Sequence, residues 1–312
     1  GAAGRWTDSD FVRFRYGLPE KIGGWIYLIN DTLIGVARDM HAWTSLDGVR
    51  FTASGTDRKL YVYTEGLAYD VTPVRRTSGT LTNPFATVNN SATVTVTDNG
   101  HGATVGDFVK FSNGSTTNVV NNLEMNAEFE VTTVVNNNSY TVTYKNSSGT
   151  LTLASATGSV GGNVTAVYQI AVGTAVSQYG WGTYQWGKEA WGTPRSSSNV
   201  TIEGRNWSFD NFGEDLLATV NNGKTFRWDT SAGTGTAAAV VSTAPAVSRF
   251  NLVSMPDRHT FLFGTETSIG SGTSQDDLFL RFSSQESFTD WVPTAANSAG
   301  SFRIQDGSKI VT

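Results

Sequence analysis

The sequence contains no cysteine. That excludes a disulfide framework, a thiolate metal site and a cysteine nucleophile, and it leaves the compartment unreadable from redox chemistry. Histidine is almost as scarce: His41, His101 and His259 stand in three separate segments with no ligand-like spacing, so a histidine-held metal is not expected. Charged residues make up only 16% of the chain, with 22 Lys and Arg against 27 Asp and Glu for a formal net charge of -5. No basic block is present, which argues against nucleic-acid binding by phosphate neutralisation. No apolar run approaches the roughly 18 residues that a membrane-spanning helix requires. The opening residues, Gly1 to Trp6, lack the basic and apolar regions of a signal peptide. Also missing are a Gly-x-Ser-x-Gly elbow, a phosphate-cradling Gly-Lys-Ser/Thr loop and a His-Glu-x-x-His helix, so nucleophilic and nucleotide chemistry have no carrier and no cofactor is expected.

What remains is a text of glycine (33 of 312 residues), Thr, Ser, Asn, Val and aromatics, with only 7 prolines. That is the composition of many short strands joined by tight turns, and the fold class it predicts is all-β. At a prior of about 150 residues per domain the length allows about two domains. The chain opens without Met and stops inside a strand-like run, Gly307-Ser-Lys-Ile-Val-Thr312, from which it is expected to be part of a longer polypeptide.

Hairpins recur along the chain. Phe11-Val-Arg-Phe-Arg-Tyr16 alternates as a half-buried strand would, and the paired Gly23 and Gly24 are expected to supply positive φ before Trp25. Trp43-Thr-Ser-Leu-Asp-Gly48 reads as a hairpin with Asp47-Gly48 at its tip. Lys59-Leu-Tyr-Val-Tyr63, the turn Glu65-Gly66 and Leu67-Ala-Tyr-Asp70 resemble Leu216-Leu-Ala-Thr-Val220, the turn Asn221-Asn-Gly223 and Thr225-Phe-Arg-Trp-Asp229. A third unit runs from His259-Thr-Phe-Leu-Phe-Gly264 through Asp277-Leu-Phe-Leu-Arg-Phe282 to Trp291. A degenerate repeat of hairpins about 40 to 50 residues long points to a partial β-propeller, in which small sheets bury their faces by stacking on neighbours. A large ordinary sandwich with coincidentally similar hairpins is the alternative.

Residues 77–167 shift sharply toward Thr, Asn, Val and Ser, with alternating runs at Ala92-Thr-Val-Thr-Val-Thr97, Phe108-Val-Lys-Phe111, Phe129-Glu-Val-Thr-Thr-Val-Val135 and Ser139-Tyr-Thr-Val-Thr-Tyr144. This stretch reads as a small β-sandwich or barrel inserted between propeller parts at 1–76 and 168–312.

The segment from Gln178 to Arg195 carries Trp181, Trp186 and Trp191 at intervals of five, each followed by Gly, together with Tyr184. This spacing fits neither a helical stripe nor strand alternation. Large rings on a glycine-hinged backbone suit anchoring in a partner protein or stacking on sugar, and equally the capping of a core between blades. Two acid groupings could hold a glycoside-hydrolysing carboxylate pair: Asp210, Glu214 and Asp215 near Trp207, or Asp276, Asp277 and Glu286 near Trp291. The bland reading is that these acids are solvated or bonded to local amides. The run Asp210-Asn-Phe-Gly-Glu-Asp215 is dense in oxygen ligands but lacks the alternating spacing of a calcium loop and reads as a turn.

Several of these phrases together resemble a family. They are Phe11-Val-Arg-Phe-Arg-Tyr-Gly-Leu-Pro-Glu-Lys-Ile-Gly-Gly-Trp25, the Tyr/Trp-Gly run ending Trp191-Gly-Thr-Pro-Arg195, Trp207-Ser-Phe-Asp-Asn-Phe-Gly-Glu-Asp215, Asp277-Leu-Phe-Leu-Arg-Phe-Ser-Ser-Gln-Glu286, and Asn297-Ser-Ala-Gly300. They are similar to the propeller-containing tail nozzle or tail hub proteins of short-tailed bacteriophages. His101-Gly-Ala-Thr-Val-Gly-Asp-Phe-Val-Lys-Phe111 is likewise similar to β-domains of phage virion proteins. The resemblance implies a non-enzymatic virion protein made in the host cytoplasm. It would form a homo-oligomeric ring, commonly a hexamer, around the DNA exit channel, docked to portal or adaptor and to tail fibres or spikes. DNA would pass through without specific binding, which suits a mildly acidic wall. The competing class is a glycan-binding adhesin or receptor-binding module, or a depolymerase.

Overall fold

The computed structural model describes residues 10–24, 32–113, 119–146, 148–170, 172–173, 175–178 and 200–311. The chain divides into two compact units, Gly1–Thr32 and Leu33–Thr312. The described helical segments are two short 3-10 turns, Thr230–Ala232 and Gly272–Ser274, and every other named element is a strand, so the protein is all-β.

In the first unit, Val12–Arg15 pairs with Leu18–Lys21 around a tip at Tyr16 and Gly17, where φ is 52 and 80. The expected strand forms, but it is not half-buried: Phe14 is 50% and Tyr16 92% exposed. Two strands of four residues make no second layer of their own to cover such side chains. The left-handed glycine is Gly17, and Gly23 and Gly24 are not among the positive-φ residues.

The second unit contains three antiparallel four-stranded sheets, each formed by strands consecutive in the chain. The first comprises Ala37–Thr44, Arg50–Thr56, Leu60–Thr64 and Leu67–Asp70; the second Trp207–Phe212, Asp215–Val220, Thr225–Trp228 and Ala239–Val240; the third Phe250–Val253, Thr260–Phe263, Phe279–Phe282 and Gly300–Arg303. Gly48 and Gly66 sit at hairpin tips with φ of 81 and 87, the left-handed values that tight hairpins demand. The two hairpins that look alike in sequence occupy different places. One supplies the third and fourth strands of its sheet, the other the second and third. Aromatic alternation and a turn define a hairpin locally, whereas its place in the sheet is set by what packs beside it.

The first strand of the second sheet lies against the first strands of both other sheets. Between the first and second sheets the contact is aromatic. Trp43 stacks on Phe51, and both meet the Trp228 ring edge-on at 6.2 and 5.6 Å. Burying rings of this size stabilises by about 1.5–3 kcal/mol each. Their polar edges are satisfied: the indole N–H of Trp43 donates to the Glu214 carbonyl at 2.8 Å, that of Trp207 to the Thr56 carbonyl at 2.7 Å, and that of Trp228 to the Thr236 carbonyl at 3.1 Å. Trp207 fits only because residue 55 is glycine, since a Cβ there would lie 2.3 Å from the indole.

Between the first and second sheets, residues Val74–Gln169 build one nine-stranded sheet wrapped around its own core of Phe85, Val94, Val109, Phe111, Val131, Tyr140, Val142 and Tyr168. Its strands Thr93–Thr97, Phe108–Asn113, Glu128–Asn136 and Ser139–Thr143 fall where the alternating runs predict them. The outermost chain segments pair, Val74 opposite Gln169 and Thr77 opposite Val167, so the chain enters and leaves this part side by side. Two ionic contacts tie it to the first sheet. Lys59, buried beneath the Phe108 ring at 4.5 Å, bonds Asp70 at 2.6 Å and also Glu128, and Arg58 pairs with Glu130. Inside the nine-stranded sheet the Tyr140 and Tyr168 hydroxyls meet at 3.0 Å, Tyr168 donates to Asp98 at 2.7 Å, and Arg76 donates to both Asp98 oxygens.

Two predictions follow from this packing. Gly55→Val, which drives a side chain into Trp207, should destabilise the second unit by about 1–3 kcal/mol, the usual cost of overpacking, as measured by urea denaturation. Burial alone would raise the carboxyls of Asp70 and Asp98; Lys59 and Thr72 at the first, and Arg76 and Tyr168 at the second, outweigh it and hold both below the ordinary value. The stability they contribute is therefore complete above about pH 4 and lost as pH falls through their folded values. The urea midpoint should decline below about pH 4, and less steeply in Asp98→Asn than in the unaltered protein.

Candidate functional site

Trp181, Tyr184, Trp186 and Trp191 lie outside the described residues. The strands on either side of that segment, Ala175–Gln178 and Val200–Gly204, pair antiparallel with Gln178 opposite Val200.

Each histidine is held in its own place. His41 Nε2 lies 3.2 Å from Asn211 Oδ1, linking the first two sheets. His101 Nε2 lies 2.9 Å from the Asn136 carbonyl while Nδ1 accepts from the Ala103 N–H at 2.9 Å, so both ring nitrogens are engaged by the main chain. His259 Nδ1 lies 2.7 Å from the Ser283 carbonyl. No group of three His, Asp or Glu among the described residues has the geometry of a metal site.

All the candidate acids except Glu286 are likewise committed to structural partners. Asp210 accepts from the Asn211 N–H at 2.9 Å and from the Val253 N–H at 2.7 Å, bonding the backbone of two sheets at once. The Glu214 carboxylate accepts from the Leu46 N–H, and its main-chain carbonyl takes the Trp43 indole. Asp215 pairs with Arg227 at 2.6 Å. The segment Asp210–Asp215 is a hairpin turned at Gly213, with φ of 66, as its reading as a turn predicts. Asp276 accepts from the Leu278 N–H at 2.9 Å and from Arg303 at 2.7 Å, and these contacts, the first above all, hold its carboxyl below the usual range. A general acid needs the opposite shift. Asp277 receives Arg249 bidentately at 2.7 and 2.9 Å, and Glu286 lies 3.7 Å from Arg258.

A different feature stands out in the third sheet. Its inner face meets the second sheet through Asn251, whose N–H donates to Ser208 Oγ at 3.1 Å, and through the Val253 N–H on Asp210. Registers put Phe250 opposite Phe263, Leu252 opposite Phe261, Phe261 opposite Phe282, and Leu280 opposite both Phe263 and Phe302, all on the other face. That face is an aromatic ladder. Phe250 stacks on Phe263 at 4.6 Å, Phe261 lies 6.2 Å from Phe263 and 5.6 Å from Phe282, and His259 meets Phe282 edge-on. Gly300 lets the Phe282 ring lie flat across the last strand, because a Cβ there would be 2.3 Å from it. None of these apolar side chains is fully buried; Leu252 is 47% and Phe302 57% exposed. A contiguous apolar surface of this kind is a candidate contact site for a further sheet or another molecule. The period-two recurrence of Phe261, Phe263, Leu280 and Phe282 was visible in the sequence, but nothing in the sequence showed that no later strand of the described chain covers them.

No family model and no curated protein matches the chain. Among solved structures, the phage phi92 endosialidase is similar over 88% of this chain and 37% of that chain, at 14% identity and a TM-score of 0.24, a value too low for a shared fold to be inferred. The chain thus spans well under half the length of that protein.

If Asp277 is structural, Asp277→Asn should act on stability. It removes the charge of Asp277, which is 38% exposed, from beside the guanidinium of Arg249, which is 6% exposed. A loss of about 1–3 kcal/mol is expected by urea denaturation, below the value for a fully buried pair.

Proposed function

We propose that this protein is a structural component of a phage tail, working by shape and contact. In this reading the three four-stranded sheets are consecutive blades of a β-propeller, and residues 77–167 are a sandwich-like domain inserted between the first and second. The repeated meander with first strands side by side supports the propeller. The paired outer strands of the nine-stranded part support an insertion, since a domain can be inserted where its two ends lie together. The tail nozzle or hub assignment, the ring around a DNA channel, docking to portal or adaptor and fibres, and residence in the virion rest on the sequence resemblance.

One observation carries the reading. The ladder from Phe250 to Phe302 is an uncovered sheet face made of the same kind of side chains that join the first two sheets, and in a protein that assembles it is an interface. Closed rings are built from heterologous contacts, in which such a face on one copy meets a different, complementary surface on the next. A non-enzymatic role agrees with the engagement of Asp210, Glu214, Asp215, Asp276 and Asp277 in local bonds.

Sedimentation velocity tests this directly. The unaltered protein is expected to sediment as a discrete oligomer, and Leu252→Asp with Phe302→Asp as a monomer whose thermal midpoint is unchanged within the error of surface substitutions. A monomeric unaltered protein at micromolar concentration, or a double variant that assembles normally, would overturn it.

A further inference from the structure

A concavity of about 280 Å³ lies where the strands joining the nine-stranded sheet to the rest of the chain meet the second sheet. Its walls are apolar, formed by Ile170, Phe226 and Val240, and Val240 is 44% exposed. Its polar groups are cationic: Arg75, Arg205 and Lys224 line it, and no carboxylate among the described residues does.

Arg205 is the unusual member. Its Nε is buried with no hydrogen-bond partner, whereas other inward-facing cations among the described residues are engaged: Lys59 by two carboxylates, Arg76 by Asp98, Arg249 by Asp277 and Arg281 by the carbonyls of Glu266 and Thr267. Burial alone pulls its guanidinium below the ordinary arginine value, with no opposing charge beside it. A buried N–H without an acceptor is unfavourable, and because Arg205 as a whole is only half-buried and lines the concavity, its guanidinium is open to an acceptor from outside the chain. The neighbouring cations are not equivalent. Arg75 is partly engaged, donating to the Gly102 carbonyl at 2.8 Å and lying 3.5 Å from Asp107, while Lys224 is exposed at the rim.

The wall chemistry narrows the ligand. A planar guanidinium fork matches the two oxygens of a carboxylate. Sugar hydroxyls placed against Ile170, Phe226 and Val240 would find no partners, and a phosphate would leave oxygens facing the same side chains. We propose that this concavity binds a small organic carboxylate carrying an apolar body, with the carboxylate on Arg205, the apolar part against Phe226 and Ile170, and Lys224 attracting the anion from the rim. The site is independent of the proposed assembly role.

Isothermal titration of the purified protein with benzoate and with hexanoate tests the assignment, using hexanol and inorganic phosphate as comparison probes. Saturable binding of at least one of the two acids is expected, with hexanol and phosphate much weaker. Arg205→Gln should weaken binding about 10- to 100-fold, the range for a lost charge-assisted hydrogen bond. Arg205→Lys should fall between the two, since an ammonium lacks the fork. Lys224→Gln, at an exposed position where the fold is not at stake, should weaken binding by about two- to fivefold and less at high salt, as a screened rim charge would. The proposal is overturned if neither acid saturates, if hexanol or phosphate binds as tightly as hexanoate, or if affinity is indifferent to both Arg205→Gln and Lys224→Gln in folded protein.

Discussion

A four-stranded sheet has two faces and too little area to stand alone in water, so each must be covered by something else. The organisation of the second unit follows from that constraint. The first sheet covers one face with Trp43, Phe51, Leu60 and Val62 against Trp207, Leu216 and Trp228 of the second. The second covers its other face through Ser208 and Asp210 against Asn251 and Val253 of the third. The first interface is hydrophobic with every indole N–H satisfied, and the second is laced with hydrogen bonds. Among the described residues, the other face of the third sheet is lined with partly exposed phenylalanines and Leu252; in the proposed assembly, that is the face on which another sheet docks.

Ionic groups serve the same end at the junction with the nine-stranded part. Buried ion pairs add little net stability against well-packed apolar side chains, but removing one partner is costly, so they fix geometry. Lys59 reaches across more than sixty residues of sequence to Glu128 while holding Asp70 beside it, and Arg58 reaches Glu130 from the adjacent position. The buried chain from Tyr140 through Tyr168 and Asp98 to Arg76 plays the corresponding part within the nine-stranded sheet. Arg205 departs from this pattern of satisfied cations.

Much of the architecture was legible because the signals are local. Asp47-Gly48 and Glu65-Gly66 mark hairpins through the backbone conformation that glycine permits, and the Thr/Val alternation of 93–97 and 139–143 marks strands with one wet face. What was illegible depends on partners distant in sequence. Gly55 reads as an ordinary strand residue until Trp207 lies over it, and Asp210 looks like a candidate acid until the Val253 N–H is found on it. The exposed hairpin at Val12–Lys21 misled for the same reason: alternation shows that one face is apolar, not that anything covers it.

The proposed action through surfaces is supported by two features of the described residues: Asp210, Glu214, Asp215, Asp276, Asp277 and the histidines are engaged in local bonds, and the third sheet carries an aromatic face. The most direct measurement is a reconstruction of the native particle containing this chain at a resolution that separates strands. The account predicts that the Phe250–Phe302 face is covered by another β-sheet, with a strand lying beside Phe250–Val253. A particle in which that face stays open to solvent while another surface makes every contact would contradict it.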